Sequence, residues 1–303
     1  MVRLWVALVV SIGLIDTAGA QLVQLPNWDT IEITTFDLGG GIYMLEGFGG
    51  NVGVSVGEDG VFLVDDQYAP LTPKVIAAVN ELSDQPIRFV INTHWHEDHV
   101  GGNENLGKLG ALIVAHDNAR AVLALARMDE ALQRKVVPPA ESLPVVTFAN
   151  SVTFYLNAET VHVFHIDAAH TDGDVVVHFR EADVIHTGDA YFNGFYPFID
   201  VAHGGSIDGM IAFYDRLIAL SGPNTRIIPG HGPVANRDNV KKYQVMLKTV
   251  RQRVAAAIAQ GRSLEDLIAA EPLADLDPEW GGNLIKAPML LSVVHADLSN
   301  GRP

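Results

Sequence analysis

The chain has 303 residues, a formal net charge of −16 and no cysteine. That acidity repels phosphate backbones and argues against a nucleic-acid substrate, and the lack of cysteine excludes disulfides and thiolate metal ligands. Hydrophobic residues make up 48% of the chain, the composition of a globular protein with one large domain or two modest ones rather than of a disordered chain.

In chain order, the first segment stands apart. A basic start at Arg3, an apolar run from Leu4 to Ile15 and the small residues Ala18-Gly19-Ala20 read as a secretory signal peptide over 1–20. The mature chain is then 21–303, with a secreted, periplasmic address and no stable membrane insertion after cleavage. The run is short for a membrane span and Asp16 interrupts it. Strands are predicted at 41–47, 51–57 and 60–66, where β-branched and aromatic runs are punctuated by Gly and Asp. A helix follows over 71–83, with Val75, Ile76, Val79 and Leu82 on one side. A short buried strand at 87–92 runs straight into "THWHEDHVGG" (93–102). Then come a strand at 111–115, a charged amphipathic helix over 117–134, and strands at 152–156, 159–165, 174–179 and 183–187. A helix at 206–220 precedes a strand at 226–229, and helices are expected over 237–260, 263–270 and roughly 283–297. Strands lead and β–loop–helix units alternate in both halves, which predicts an α/β layered sandwich with sheets inside and helices outside. Polar residues at strand C-terminal ends then share one rim, where open α/β folds place their chemistry.

The His-rich loop carries the chemistry. His94 and His96 alternate, so in an extended loop both imidazoles point to one side. Asp98 and His99 follow at the start of a helix. One ion cannot easily use four such closely spaced groups, but two can: His94 and His96 on one, Asp98 and His99 on the other. A hydrolytic zinc takes three protein ligands and leaves room for water, so each ion needs further ligands from afar. "DAAHTDGD" offers His170, "IHTGDA" offers Asp189 and "IIPGHGP" offers His231, all in strand-end loops that can converge on the rim.

The ordered set HxHxDH, a downstream His, an Asp in "TGD" and a final His in "PGHG" resembles the metallo-β-lactamase superfamily over roughly residues 30–240. The resemblance implies an α/β fold, the four-layer αββα sandwich, with 240–303 as a helical C-terminal part and two Zn2+ ions at the sandwich edge. It implies that His94, His96 and His170 bind the first zinc, that Asp98, His99 and His231 bind the second, and that Asp189 bridges them. Iron or manganese also suits N and O donors, although a Glu in place of His96 would have favoured the diiron branch. Two such ions ~3.5–4 Å apart lower the pKa of a shared water from about 15.7 toward 7, and the bridging hydroxide is then the nucleophile. Asp98 is also a candidate catalytic residue that orients the hydroxide or delivers a proton.

Dedicated β-lactamases place Cys or Ser where this chain has Asp189. The Lys that some of them use to hold the drug's carboxylate corresponds to Phe192. The Asp-bridged pattern is closer to glyoxalase II-like thioesterases and lactonases. The expected function is therefore a secreted dinuclear zinc hydrolase that cleaves a cyclic or activated acyl bond in a small molecule: lactone, thioester or β-lactam. The alternatives are a class B-like β-lactamase, an iron-dependent oxygenase on the same scaffold, and a non-catalytic relative, against which the full ligand set speaks. The oligomeric state is not legible.

Seven further histidines lie outside the set: His116, His162, His165, His178, His186, His203 and His295. They are expected to be structural, with His165 and His186 best placed to support ligand loops. Asp65 or Asp66 is expected to hydrogen-bond a ligand histidine, since such rings usually give their second N–H to a carboxylate or carbonyl. Thr93 and Thr171 should shape their loops. "GFGG" (47–50) reads as a flap tipped by Phe48, "AYFNGFYPF" (190–198) as a pocket wall, and the stretch from 263 on, with "PEWGG" (278–282), as a helical pair packed across the sandwich.

Overall fold

Two mixed β-sheets packed face to face, with helices on both outer sides, make the chain a four-layer αββα sandwich. The structure, a computed structural model, describes residues 26–129, 134–282 and 284–299. The expected signal peptide over 1–20 lies outside them. The elements are β1 (Thr34–Asp37), β2 (Ile42–Glu46), β3 (Val52–Gly57), β4 (Gly60–Val64), α1 (Thr72–Asn80), β5 (Ile87–Ile91), α2 (Glu97–Val100), α3 (Asn103–Lys108), β6 (Leu112–His116), α4 (Asp117–Leu123), β7 (Arg127–Asp129), β8 (Arg134–Val136) and β9 (Val146–Phe148). The second half holds β10 (Ser151–Leu156), β11 (Glu159–His165), β12 (Val175–Phe179), β13 (Val184–His186), α5 (Ile207–Leu220), β14 (Arg226–Ile228), α6 (Arg237–Ala259), α7 (Leu264–Ala269), α8 (Asp277–Trp280) and α9 (Ala287–Ser299). Sheet order is β1-β2-β3-β4-β5-β6-β9 in one sheet and β10-β11-β12-β13-β14 in the other, with β7 and β8 forming a separate hairpin.

Between the sheets, Met44, Val64, Ile91 and Val114 meet Val161, Val163, Val175, Val177 and Ile228. Each is wholly or almost wholly buried, and each such side chain contributes roughly 1.5–3 kcal/mol of apolar transfer. On the outer face of the large sheet, Val54, Leu63 and Val90 pack against Val75 and Val79 of α1. On the outer face of the small sheet, Val176, Ile185 and Ile227 pack against α5, α6 and α9. The strands β4, β5 and β6 run parallel, as do β13 and β14. Parallel neighbours end on the same side, and this brings the loops after β4, β5, β13 and β14 to one rim.

Two corrections to the sequence reading follow. The helix expected over 117–134 stops at Leu123, and a hairpin follows. Its buried stripe is Ala119 and Leu123; Leu125 and Ala126 are exposed, so a further turn would bury nothing. β1 and β9 were not predicted. β1 is exposed along its whole length, and β9 shows no alternation and packs only Phe148 against the inter-sheet core, so both are edge strands held largely by backbone pairing.

Candidate metal centre

The seven residues singled out in the sequence come together at the rim. His94 leaves the end of β5, α2 supplies Asp98 and His99, and His96 is the residue just before that helix. His170 stands between β11 and β12, Asp189 in a 3-10 turn after β13, and His231 after β14. Their donor atoms form two groups, His94/His96/His170/Asp189 and Asp98/His99/His231, with all atoms of a group within 4.8 Å of one another. Asp189 spans both groups. Its Oδ2 lies 3.9 Å from His94 Nε2 and 3.7 Å from His170 Nε2. Its Oδ1 lies 3.0 Å from His99 Nε2 and 3.4 Å from His231 Nε2. Asp98 Oδ2 lies 3.2 Å from His231 Nε2.

Hydrogen bonds on the outer side of four of the five rings fix their tautomers. Thr93 Oγ1 donates to Asp65 Oδ2 at 2.7 Å, so it accepts from His94 Nδ1 at 3.0 Å. His99 Nδ1 donates to Asp65 Oδ2 at 2.7 Å, and His170 Nδ1 donates to the Phe198 carbonyl at 2.8 Å. His96 Nε2 donates to Asp200 Oδ2 at 3.1 Å. Each of these four rings therefore turns a lone pair inward. His96 Nδ1 and His170 Nε2 stand 2.8 Å apart, and His99 Nε2 and His231 Nε2 stand 3.3 Å apart. Two acceptors at such distances need a proton or a cation between them. His94 Nε2 is buried without a hydrogen-bond partner, which costs about 1–3 kcal/mol unless a ligand takes it. The donor set therefore fits a pair of divalent cations.

The electrostatics agree. Burial holds the His94 imidazole well below its usual range, and burial brings His170 down to about 4. Burial also opposes a charged His99, but the carboxylates of Asp189, Asp98 and Asp65 outweigh it and hold this ring well above the usual range. His231 is raised to about 9 in the same way, with Asp189 and Asp98 overcoming burial. Burial raises Asp98, yet His99 and His231 hold it at about 2. Two ionised carboxylates thus gather positive charge at the second group.

The supporting residues divide into those expected and those not. Of the acidic pair after β4, Asp65 touches the site: it takes Thr93 N, Thr93 Oγ1 and His99 Nδ1, and it sits at φ 64. Asp66 instead accepts from Gly102 N at 2.8 Å. His186 accepts from Gly188 N and donates to Asn51 O, both at 3.1 Å, and so shapes the turn before Asp189. His165 bonds the Asp174 carbonyl at 2.9 Å and stacks on His116 at 3.8 Å. Two supports were missed. Asp174 accepts from His170 N at 2.7 Å and Thr171 N at 2.9 Å. Asp200 joins His96 to His203 Nδ1, the latter at 2.8 Å. Glycines give the centre room: a Cβ on Gly50 would meet His99 Cε1 at 2.1 Å, and one on Gly230 would meet Asp189 Oδ1 at 1.9 Å.

The aromatic run 190–198, read as a pocket wall, is split. Tyr191 and Tyr196 are core residues with no exposed surface. Phe192 lies almost parallel to the His231 ring with centroids 5.5 Å apart, and Phe198 lies 5.9 Å from the His96 ring and 5.8 Å from His170. On the other side, Phe48 packs with Trp28 and Tyr68 at centroid distances of 5.7 and 6.1 Å. Gly50 N, two residues on from Phe48, donates to the Asp98 carbonyl at 3.2 Å, so this aromatic group borders the centre, and burial, with Asp98, Glu97 and Asp189 adding to it, pushes Tyr68 above its usual range.

The fold and the seven-residue centre define a metallo-hydrolase scaffold. The family model for the metallo-beta-lactamase superfamily matches residues 45–235, more than half the chain, and the chain belongs to that superfamily. It is 27% identical over 107 residues to a hydroxyacylglutathione hydrolase of Erythrobacter litoralis, covering 35% of each protein. It is 25% identical over 184 residues to the Bacillus subtilis protein described as "probable metallo-hydrolase YqgX", covering 57% of this chain and 83% of that one. The chain thus spans about a third of the first relative and most of the second. A solved metallo-beta-lactamase from Pontibacter korlensis superposes with a TM-score of 0.59 at 18% identity, covering 72% of this chain and 99% of that one. That likeness bears on the fold.

Proposed function

We propose that the protein is a dinuclear zinc hydrolase that opens a cyclic or activated acyl bond, a lactone or thioester in preference to a β-lactam. The observation that carries the reading is Asp189, whose two carboxylate oxygens address the two ligand groups separately. In this reading His94, His96 and His170 hold one zinc, Asp98, His99 and His231 hold the other, and Asp189 bridges. Such a pair, when bound, supplies a water acidified toward neutrality and a Lewis acid for the acyl oxygen. The protein's own part is to hold the inward lone pairs in place, with Asp65, Asp200 and the Phe198 carbonyl keeping the rings of His94, His96, His99 and His170 in their ligand tautomers. Asp98, ionised beside His231, is placed to orient a water or carry its proton. Trp28, Phe48 and Tyr68 on one side and Phe198 on the other present apolar surface to the substrate.

Phe192, flat on His231, offers no positive charge for a substrate carboxylate. Burial acts first on Tyr68, Asp98 and Asp200, and the charged neighbours that act after it are carboxylates and imidazoles, with no lysine or arginine among them. Uncharged acyl substrates are therefore preferred over anionic ones. A mononuclear iron oxygenase on this scaffold would load one ion, and the second complete ligand group speaks for hydrolysis. The secreted address stays part of the proposal, supported by the sequence of residues 1–20.

The test is a substrate panel with zinc-loaded protein: an uncharged lactone, an uncharged thioester, a carboxylated thioester and a chromogenic cephalosporin, each with Asp189→Asn as blank. The reading predicts efficient turnover of the uncharged substrates, at least tenfold above the anionic ones, and none in the blank. Fastest turnover of the cephalosporin would replace it with a β-lactamase.

A further inference from the structure

We propose that α8 and α9, which lie beyond the family match, brace one half of the metal centre: they fix the segment 196–203, and this segment holds His96 and His170. The inference rests on the dinuclear reading above. It gives the C-terminal helices a task at the site, although they supply no ligand to it.

The path is continuous. Tyr196 N donates to the Trp280 carbonyl in α8 at 2.9 Å, and Tyr196 Oη donates to Asp277 Oδ1 at the start of α8, also at 2.9 Å. Tyr196 has no exposed surface, so its position is set by these partners and the core around it. Asp297 of α9 accepts from Ile207 N at 2.8 Å and so pins the start of α5, just after the segment. α9 also packs directly on the short 3-10 turn Val201–His203. Between these two anchors lie the contacts to the centre. The Phe198 carbonyl takes His170 Nδ1, Asp200 Oδ2 takes His96 Nε2, and Asp200 N donates to the His170 carbonyl at 2.9 Å. Asp200 is itself steadied by His203, whose ring lies 4.5 Å from Trp95, the residue between His94 and His96.

The other half of the centre has different supports. His99 is held by Asp65 after β4. The His231 turn pairs with Phe192 and takes Asn193 N at 2.9 Å, so the start of the same loop is fixed from the β14 side without the helices. The two halves can therefore be loosened separately. Tyr196, Asp277 and Asp200 are positioning residues for His96 and His170, and their effect belongs to the first ion alone.

The experiment is a stepwise cobalt(II) titration of the full chain, followed by visible absorption and by competition with a chelator. It compares the wild type with Tyr196→Phe and Asp200→Ala, alongside the Tm of each metal-free protein. Wild type should take up two ions. Asp200→Ala should weaken one of them about 10–100-fold, the range for outer partners of a ligand histidine. Tyr196→Phe should weaken the same ion, less strongly, and shift its absorption band while the other band stays. A plain loss of stability would instead lower Tm and weaken both ions together. Parallel weakening of both ions, or affinities and absorption unchanged in Tyr196→Phe whatever Asp200→Ala does, overturns the brace and leaves the dinuclear reading standing. Uptake of fewer than two ions by the wild type overturns the dinuclear reading and the brace with it.

Discussion

At the residue scale, Asp65 carries the most. It accepts from Thr93 N, Thr93 Oγ1 and His99 Nδ1, and through Thr93 it also sets the tautomer of His94. It does so from the left-handed region, φ 64, which a non-glycine residue enters at a cost of order 1–3 kcal/mol. Unlike Asp200, it serves both ligand groups. Asp65→Ala should therefore weaken both ions by about 10–100-fold, measured by chelator competition. Loss confined to one ion would contradict its shared role. A second prediction concerns the core behind the site. Tyr214 and Tyr243 stack at 5.4 Å with both hydroxyls buried and unpaired. An unsatisfied buried hydroxyl costs about 1–3 kcal/mol, so Tyr214→Phe should raise the urea midpoint by roughly 1 kcal/mol's worth at constant slope. A lower midpoint would show that the hydroxyl has a partner. The site residues were legible because their chemistry is contiguous: three histidines and an aspartate within six positions, then one donor residue in each of the loops after β11, β13 and β14. Asp200 was not legible, because its partner His96 lies 104 residues away and nothing in "FIDVAHGG" sets it apart.

At the element scale, the β11–β12 edge away from the centre holds a carboxyl with a measurable signature. Glu159 opens β11 and accepts from Glu181 N at 2.7 Å and Ala182 N at 3.1 Å. Burial and the neighbouring Glu181 carboxylate raise its pKa to about 7. The folded state thus binds this proton more tightly than the unfolded state, whose Glu titrates near about 4.3. The stabilisation is fully present below the unfolded value and is lost as pH rises through about 7. Glu159→Gln keeps an oxygen for the two N–H groups and carries no charge. It should match wild type at pH 4–5 and exceed it at pH 8 by on the order of 1 kcal/mol, read as Tm against pH. A difference that is the same at both pH values would place the Glu159 pKa near its ordinary value. Elements with an alternating or continuous apolar pattern, such as β3, β4, β5, β11 and β12, were legible for the same reason that they are buried. β1 has no buried side chain and β9 only the partly buried Phe148, too little to write a pattern, and α4 ended where its stripe ran out.

At the scale of the whole molecule, two sheets close over one core; their parallel strand pairs deliver four loops to one rim, and the β11–β12 loop with His170 joins them there. That arrangement brings two ionised carboxylates and five histidines together, a grouping that is costly without cations to balance it. Metal binding is thus linked to folding. Free zinc at a thousand times Kd should add about 4 kcal/mol, so chelator treatment should lower Tm by about 10 °C for a chain of this size. An unchanged Tm would mean that the centre gains nothing from cations.

The most direct test of the account is metal content by mass spectrometry after zinc reconstitution and desalting, with lactone hydrolysis measured on the same samples. Wild type should retain two zinc ions per chain and turn over. Asp189→Asn, which removes the charge that links the two groups, should retain one or none and show no turnover. Two tightly held ions and an unimpaired rate in that variant would contradict the bridging role of Asp189, and with it the central claim.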